Sequence, residues 1–161
     1  MKTIKILPIL AVVLMLTTAS TCHKDDDNPS VSNQQQIAMI NAVNGTVMQG
    51  NWHVSYYFDN DSEETSNFSG YTFSFGSGGI LTATNGSNTQ TGSWFVSGSN
   101  SSNDDNPHPE DLDFNIAFSS PANFAELTDD WEIVTFTAAR IELIDVSGGN
   151  GGTDRLIFEK N

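Results

Sequence analysis

The sequence predicts an all-β domain, an eight-stranded antiparallel up-and-down barrel, on three observations. Apolar and polar residues alternate with period two, most clearly where Leu112, Phe114, Ile116 and Phe118 alternate with Asp111, Asp113, Asn115 and Ala117. Such alternation describes strands with one buried and one wet face. Turn signals punctuate these runs, among them Gly76-Ser77-Gly78-Gly79 and Asn85-Gly86. Aromatic and β-branched residues are plentiful and helix formers few outside the N-terminus. Eight such strands with mostly short connections form a closed barrel or a two-sheet sandwich. Closure is favoured because it removes the exposed edges of so polar a sheet.

In order along the chain, residues 34–43 carry apolar positions 37, 40 and 43 on one helical face, predicting a short helix across one end of the barrel. Asn44-Gly45 supplies its stop. The first strand is expected over 51–58, with Trp52, Val54, Tyr56 and Phe58 on one face. The second covers 71–75 and the third 80–84. The fourth covers 90–96, with Trp94 and Val96 inward, and the fifth 111–118. A short helix over 121–127, with Ser120 as its cap and Pro121 at its first position, precedes the sixth strand over 131–137. The seventh is placed at 140–146 and the eighth at 154–159, with Ser147–Gly152 as a loose hairpin loop. The stretches 59–70 and 97–110 are the long polar loops.

Three segments divide the chain: a signal peptide over 1–21, a polar tether and helix over 22–44, and the barrel over 45–161. Lys2 and Lys5 precede an apolar run over 6–16 and then the small polar residues 17–21. The run is too short to span, since a transmembrane helix needs roughly 20 apolar residues, and the pattern is that of an export signal. Cys22 is the only cysteine, so no intramolecular disulfide can form.

Only Lys24, Arg140, Arg155 and Lys160 remain beyond the signal to oppose all 20 acidic residues, and the whole chain has a formal charge of −14. A surface this acidic repels phosphate backbones, which argues against nucleic-acid binding. No nucleophile elbow, His-Glu-x-x-His pair, cysteine pair or phosphate-binding Walker loop is present. No catalytic residue or cofactor is therefore assigned, and the expectation is a non-enzymatic monomer. Asp59, Asp61 and Glu63 form a weak candidate for calcium, which takes six to eight oxygen ligands, although Glu64 stands where an EF-hand loop requires Gly. His53 is expected on the outer face, with His23 and His108 in polar segments.

Cys22, directly behind small residues that end an apolar run, resembles the lipobox of bacterial lipoproteins. Lys24, Asp25, Asp26 and Asp27 behind it resemble the acidic export tag of Bacteroidota surface lipoproteins. The ordered series Gly50-Asn51-Trp52, Tyr71-Thr72-Phe73-Ser74-Phe75-Gly76, Gly92-Ser93-Trp94 and Trp131-Glu132-Ile133-Val134 resembles the lipocalin-like domains of such lipoproteins. The resemblance implies lipid attachment at Cys22, a membrane contact through that lipid alone, and an outer-membrane, cell-surface location. It also implies a small barrel, often with an apolar pocket. Trp52, Tyr56, Phe73, Phe75, Trp94, Phe114, Phe118 and Trp131 are the expected lumen residues, for a small apolar ligand. The alternative is a filled core, with the polar loops binding a partner as in a structural or adhesion protein.

Overall fold

A computed structural model describes residues 29–59, 61–98, 111–146 and 152–161. The chain begins with helix α1 (Pro29–Val47), followed by β1 (Trp52–Asp59), the two-residue β2 (Ser62–Glu63), a 3-10 turn (Thr65–Phe68), β3 (Thr72–Phe75), β4 (Ile80–Thr84) and β5 (Thr89–Gly98). It continues with β6 (Leu112–Ala117), the single-turn α2 (Ala122–Ala125), β7 (Asp129–Phe136), β8 (Arg140–Val146) and β9 (Thr153–Lys160). Strands β3 to β9 pair in sequence order, all antiparallel, and β1 pairs with both β9 and β3. The sheet is therefore a closed eight-stranded up-and-down barrel, and all eight of its strands fall where the alternation places them.

Three local differences from the sequence expectation have clear causes. Helix α1 extends beyond 34–43 at both ends, taking in residues expected in the tether and running past Gly45 to Val47. Val43 and Val47 are fully buried, with Met39 and Ile40 packed on the core beside them, whereas Ile37 is exposed. Burying Val47 is worth more than the fractional helix preference lost at Gly45, about 1 kcal/mol against Ala. The helix between strands five and six is only the turn Ala122–Ala125, because Pro121 stays extended and stands at the cap position itself. Finally, β1 carries a bulge against β9 between Val54 and Tyr56. The extra residue reverses the alternation, so Trp52, Val54 and Tyr57 are buried while Tyr56 and Phe58 stand half-buried on the outside, stacked in parallel.

The seam between β1 and β3 holds one strand pair, Trp52 with Phe73. Beyond it, β2 folds back on the end of β1, and the 3-10 turn completes the edge. Glu64 donates its backbone N–H to the Tyr57 carbonyl at 2.9 Å, and the Tyr57 N–H donates to Thr65 Oγ1 at 2.8 Å. Asn85 fixes the β4–β5 hairpin through its side chain, whose Oδ1 accepts from the N–H of Ser87 and Asn88; Gly86 alone takes positive φ there.

Gly92 explains the second Gly-x-Trp. Any Cβ on Gly92 would run into the Ala117 carbonyl oxygen and stand 2.7 Å from the Phe118 ring. The missing side chain makes the space that Phe118 fills. Gly92→Ala is expected to destabilise the domain by about 1–3 kcal/mol through overpacking against backbone, read as a lower urea midpoint with unchanged m-value.

Candidate functional site

Seven of the eight expected lumen residues lie in the core: Trp52, Phe73, Phe75, Trp94, Phe114, Phe118 and Trp131 are all buried. The eighth, Tyr56, is displaced outward by the β1 bulge, and Tyr57 takes the inward place. Two further rings that the alternation did not mark, Phe68 of the 3-10 turn and Phe124 of α2, enter one mouth of the barrel and are fully buried. Neither sits in a periodic run; a lone Phe amid the polar residues of 59–70 was the only signal of the first.

The rings form one connected set along the barrel axis. Phe158 lies 5.3 Å from Phe73 and 5.5 Å from Phe75. Phe75 reaches Trp94 at 5.3 Å and Phe114 at 5.6 Å, toward the mouth covered by α1. Phe73 reaches Phe68 and Phe124, which in turn meet Tyr57, Tyr71 and Phe118 at the opposite mouth. Most pairs are edge-to-face, the arrangement ring quadrupoles favour.

Each tryptophan also ties the barrel to a segment at its rim. Trp52 Nε1 donates to the Val47 carbonyl at the end of α1 (2.9 Å). Trp94 Nε1 donates to Gly76 in the β3–β4 turn (3.0 Å), and Trp131 Nε1 to Leu127 after α2 (3.0 Å). Among the described residues no buried side-chain nitrogen or oxygen lacks a partner.

The mouth around Phe68 and Phe124 carries an acidic rim. The Tyr57 hydroxyl donates to the Glu126 carbonyl at 2.9 Å and lies 3.3 Å from Asp59 Oδ2. Burial, reinforced by the Asp59 charge, pushes the Tyr57 phenol far up. Burial also raises the Asp59 carboxyl, with Asp154 beside it adding to the shift, and raises Glu126, with Glu64 adding. On the barrel wall the same two causes raise Asp113, near Asp130 and Glu132. Asp129 rises to about 6, mainly by burial, although the Asp130 backbone N–H opposes the shift.

The calcium candidate is not assembled. Asp59 faces Tyr57, Glu63 Oε1 accepts the Thr65 N–H at 3.0 Å, and Asp61 is exposed at positive φ. Among the described residues no three His, Cys, Asp or Glu side chains are grouped to hold a metal. His53 Nδ1 lies 2.8 Å from Asn161 Oδ1 on the outer side of β1. Cys22 and the run Lys24, Asp25, Asp26 and Asp27 lie outside the described residues. Among those described, no helix is long and apolar enough to cross a membrane.

Two open grooves flank the exposed Phe95 on β5, the larger reaching Trp94 and Val96 at the mouth covered by α1. One, of about 310 Å³, lies between the end of α1 and the β3–β4 turn; the other, of about 200 Å³, lies over β5, β6 and the start of β7. Comparison with protein-family models, with curated proteins and with solved structures found no match to this chain.

A carboxyl whose folded pKa exceeds its unfolded value holds a proton that the unfolded chain has already lost. Its contribution to stability is therefore lost as pH rises from the ordinary carboxylate value toward the folded one. For Asp129 that window runs from 3.8 to about 6, and Asp59, Asp113 and Glu126 act in the same direction. The melting temperature is expected to be higher at pH 5 than at pH 7.5, with Asp129→Asn flattening the slope between them. A melting temperature that rises steadily toward pH 7.5 would contradict this assignment.

Proposed function

We propose that this chain is a lipid-anchored, non-enzymatic binding protein of the cell surface that works through the outside of a filled barrel. The carrying observation is the connected set of rings along the barrel axis. An eight-stranded barrel is only wide enough for side chains or one small ligand, and here the space where an apolar ligand would sit holds Phe73, Phe75, Phe114 and Phe158. Both mouths are also covered, one by Val43 and Val47 of α1 and the other by Phe68 and Phe124. This favours the reading in which the exterior binds a partner over the reading of a small apolar ligand in the lumen.

The anchor rests on Cys22 and on the resemblance of its surroundings to a lipobox and export tag. Each buried methylene of an acyl chain contributes ~0.8 kcal/mol, and two chains hold a protein stably at a bilayer. Helix α1 begins at Pro29, so residues 23–28 separate it from the cysteine, and the helix itself stands between that short segment and the barrel.

Native mass spectrometry of the full chain purified in detergent tests the filled core. The expected mass is that of the acylated chain alone; a stoichiometric apolar molecule released on unfolding would overturn the reading in favour of a lumen ligand. Metabolic labelling with a palmitate analogue tests the anchor independently. Label is expected on the wild type and absent from Cys22→Ser, and equal labelling would refute it.

A further inference from the structure

Among the described residues, the strands of one flank of the barrel carry no ionisable group. Residues 65–98, which form the 3-10 turn, β3, β4 and β5, contain no Asp, Glu, Lys, Arg or His. The described bases Arg140, Arg155 and Lys160 all stand on β8 and β9, where Arg140 bridges Glu142 and Glu159, Arg155 approaches Glu142, and Lys160 lies over the Trp52 ring. In a chain of net charge −14, the outer face of β3–β5 is thus an uncharged patch.

The composition of that face is specific. Inward positions on β5 belong to Trp94 and Val96, so Ser93, Phe95 and Ser97 point out. Phe95 is 57% exposed and stands opposite Asn115, whose Nδ2 donates to Ser97 Oγ at 3.1 Å. Ile80, paired with Ser93, is 54% exposed beside it. Phe95 borders both grooves, a ridge with an open trough on either side. Met48, Trp94 and Val96 line the larger trough together with Asn44, Ser77 and the turn backbone; Ile116 and Ala117 line the smaller one with Ser93, Asn115, Thr128 and Asp129, its one ionisable group.

The geometry points to this face as a binding site for a neutral glycan chain, with Phe95 as the platform for one sugar ring and the flanking troughs for its neighbours. The chemistry of the two surfaces matches. A sugar presents C–H groups on one face of its ring, which suit the electron-rich face of an aromatic. Around its edge it presents hydroxyls, which both donate and accept, as do amide, hydroxyl and backbone groups. An uncharged ligand pays no electrostatic penalty there, whereas an anionic polymer would meet the acidic field of the rest of the molecule. Open troughs fit a chain that continues past the site rather than an enclosed small molecule. This inference rests on the exterior-binding reading above and names the partner for it.

The test is affinity electrophoresis and calorimetry on the full chain in detergent, with three neutral polysaccharides (a β-glucan, an α-glucan and a mannan) and with polygalacturonate as the anionic control. Binding to at least one neutral polymer and none to polygalacturonate is expected. Phe95→Ala should weaken it at least tenfold, Phe95→Tyr should keep it within about threefold, and Asn115→Ala should weaken it less than Phe95→Ala does. Thermal melts close to wild type confirm that the variants fold; Phe58→Ala, on another face, should bind as wild type does. Absence of binding to all three neutral polymers, binding that survives Phe95→Ala, or preference for polygalacturonate would each overturn the assignment. So would a concentration-dependent dimer broken by Phe95→Ala, which would give the face to a second copy instead. None of these results bears on the filled core, which the native mass decides separately.

Discussion

The interior of an eight-stranded barrel is a space of fixed width, and whatever fills it must do so without gaps and without stranded polar atoms. In this chain large rings meet that constraint, turned edge to face about Phe73, Phe75 and Phe158. Ring pairs of this kind contribute about 0.5–1.5 kcal/mol each beyond the apolar area they bury. Their polar atoms impose the second half of the constraint. The three indole N–H groups each need an acceptor, and the carbonyls they find belong to Val47, Gly76 and Leu127. Filling the lumen therefore also pins α1, the β3–β4 turn and the segment after α2 to the rim.

Closure follows from the same requirement. Strands β1 and β3 pair only at Trp52 and Phe73, and past that point the two edges diverge. The gap is sealed by the 3-10 turn, which satisfies the Tyr57 backbone through Glu64 and Thr65 and delivers Phe68 into the mouth. The β1 bulge makes this arrangement workable, since it turns Tyr57 inward to meet Phe68 at 5.4 Å and Trp131 at 6.4 Å. A seam, a bulge and a plug thus act as one unit at the acidic mouth, where Asp59 and Glu126 border the Tyr57 hydroxyl.

The inside of the barrel is packed with rings, and its outside is sorted by charge. There the residues divide sharply. Strands β8 and β9 carry cross-linked acids and bases over the buried Ile157, while β3 to β5 present hydroxyls, amides and one prominent ring. The closed sheet turns a linear segregation of charge along the chain into two chemically distinct flanks, because consecutive strands are neighbours around the wall.

The sequence by itself determined the class of fold, the eight strands and most of the core, because period-two alternation and Gly- or Asn-bearing turns are local properties of the chain. Seven of the eight rings it placed inside are buried there. Tertiary structure decided the rest. Tyr56 and Tyr57 are adjacent and chemically alike, so only the bulge against β9 chooses which points inward. Phe68 and Phe124 lie outside any periodic run and became core only when the seam and mouth needed covering. Helix α1 outran its apparent stop at Gly45 because Val47 gains burial and Trp52 gains an acceptor at its end. The uncharged flank, plain in composition, acquired its ridge and troughs only when Phe95 was set between the α1 end and β6. Local pattern fixes which residues can form strands, but inside and outside are settled by contacts between segments far apart in the chain.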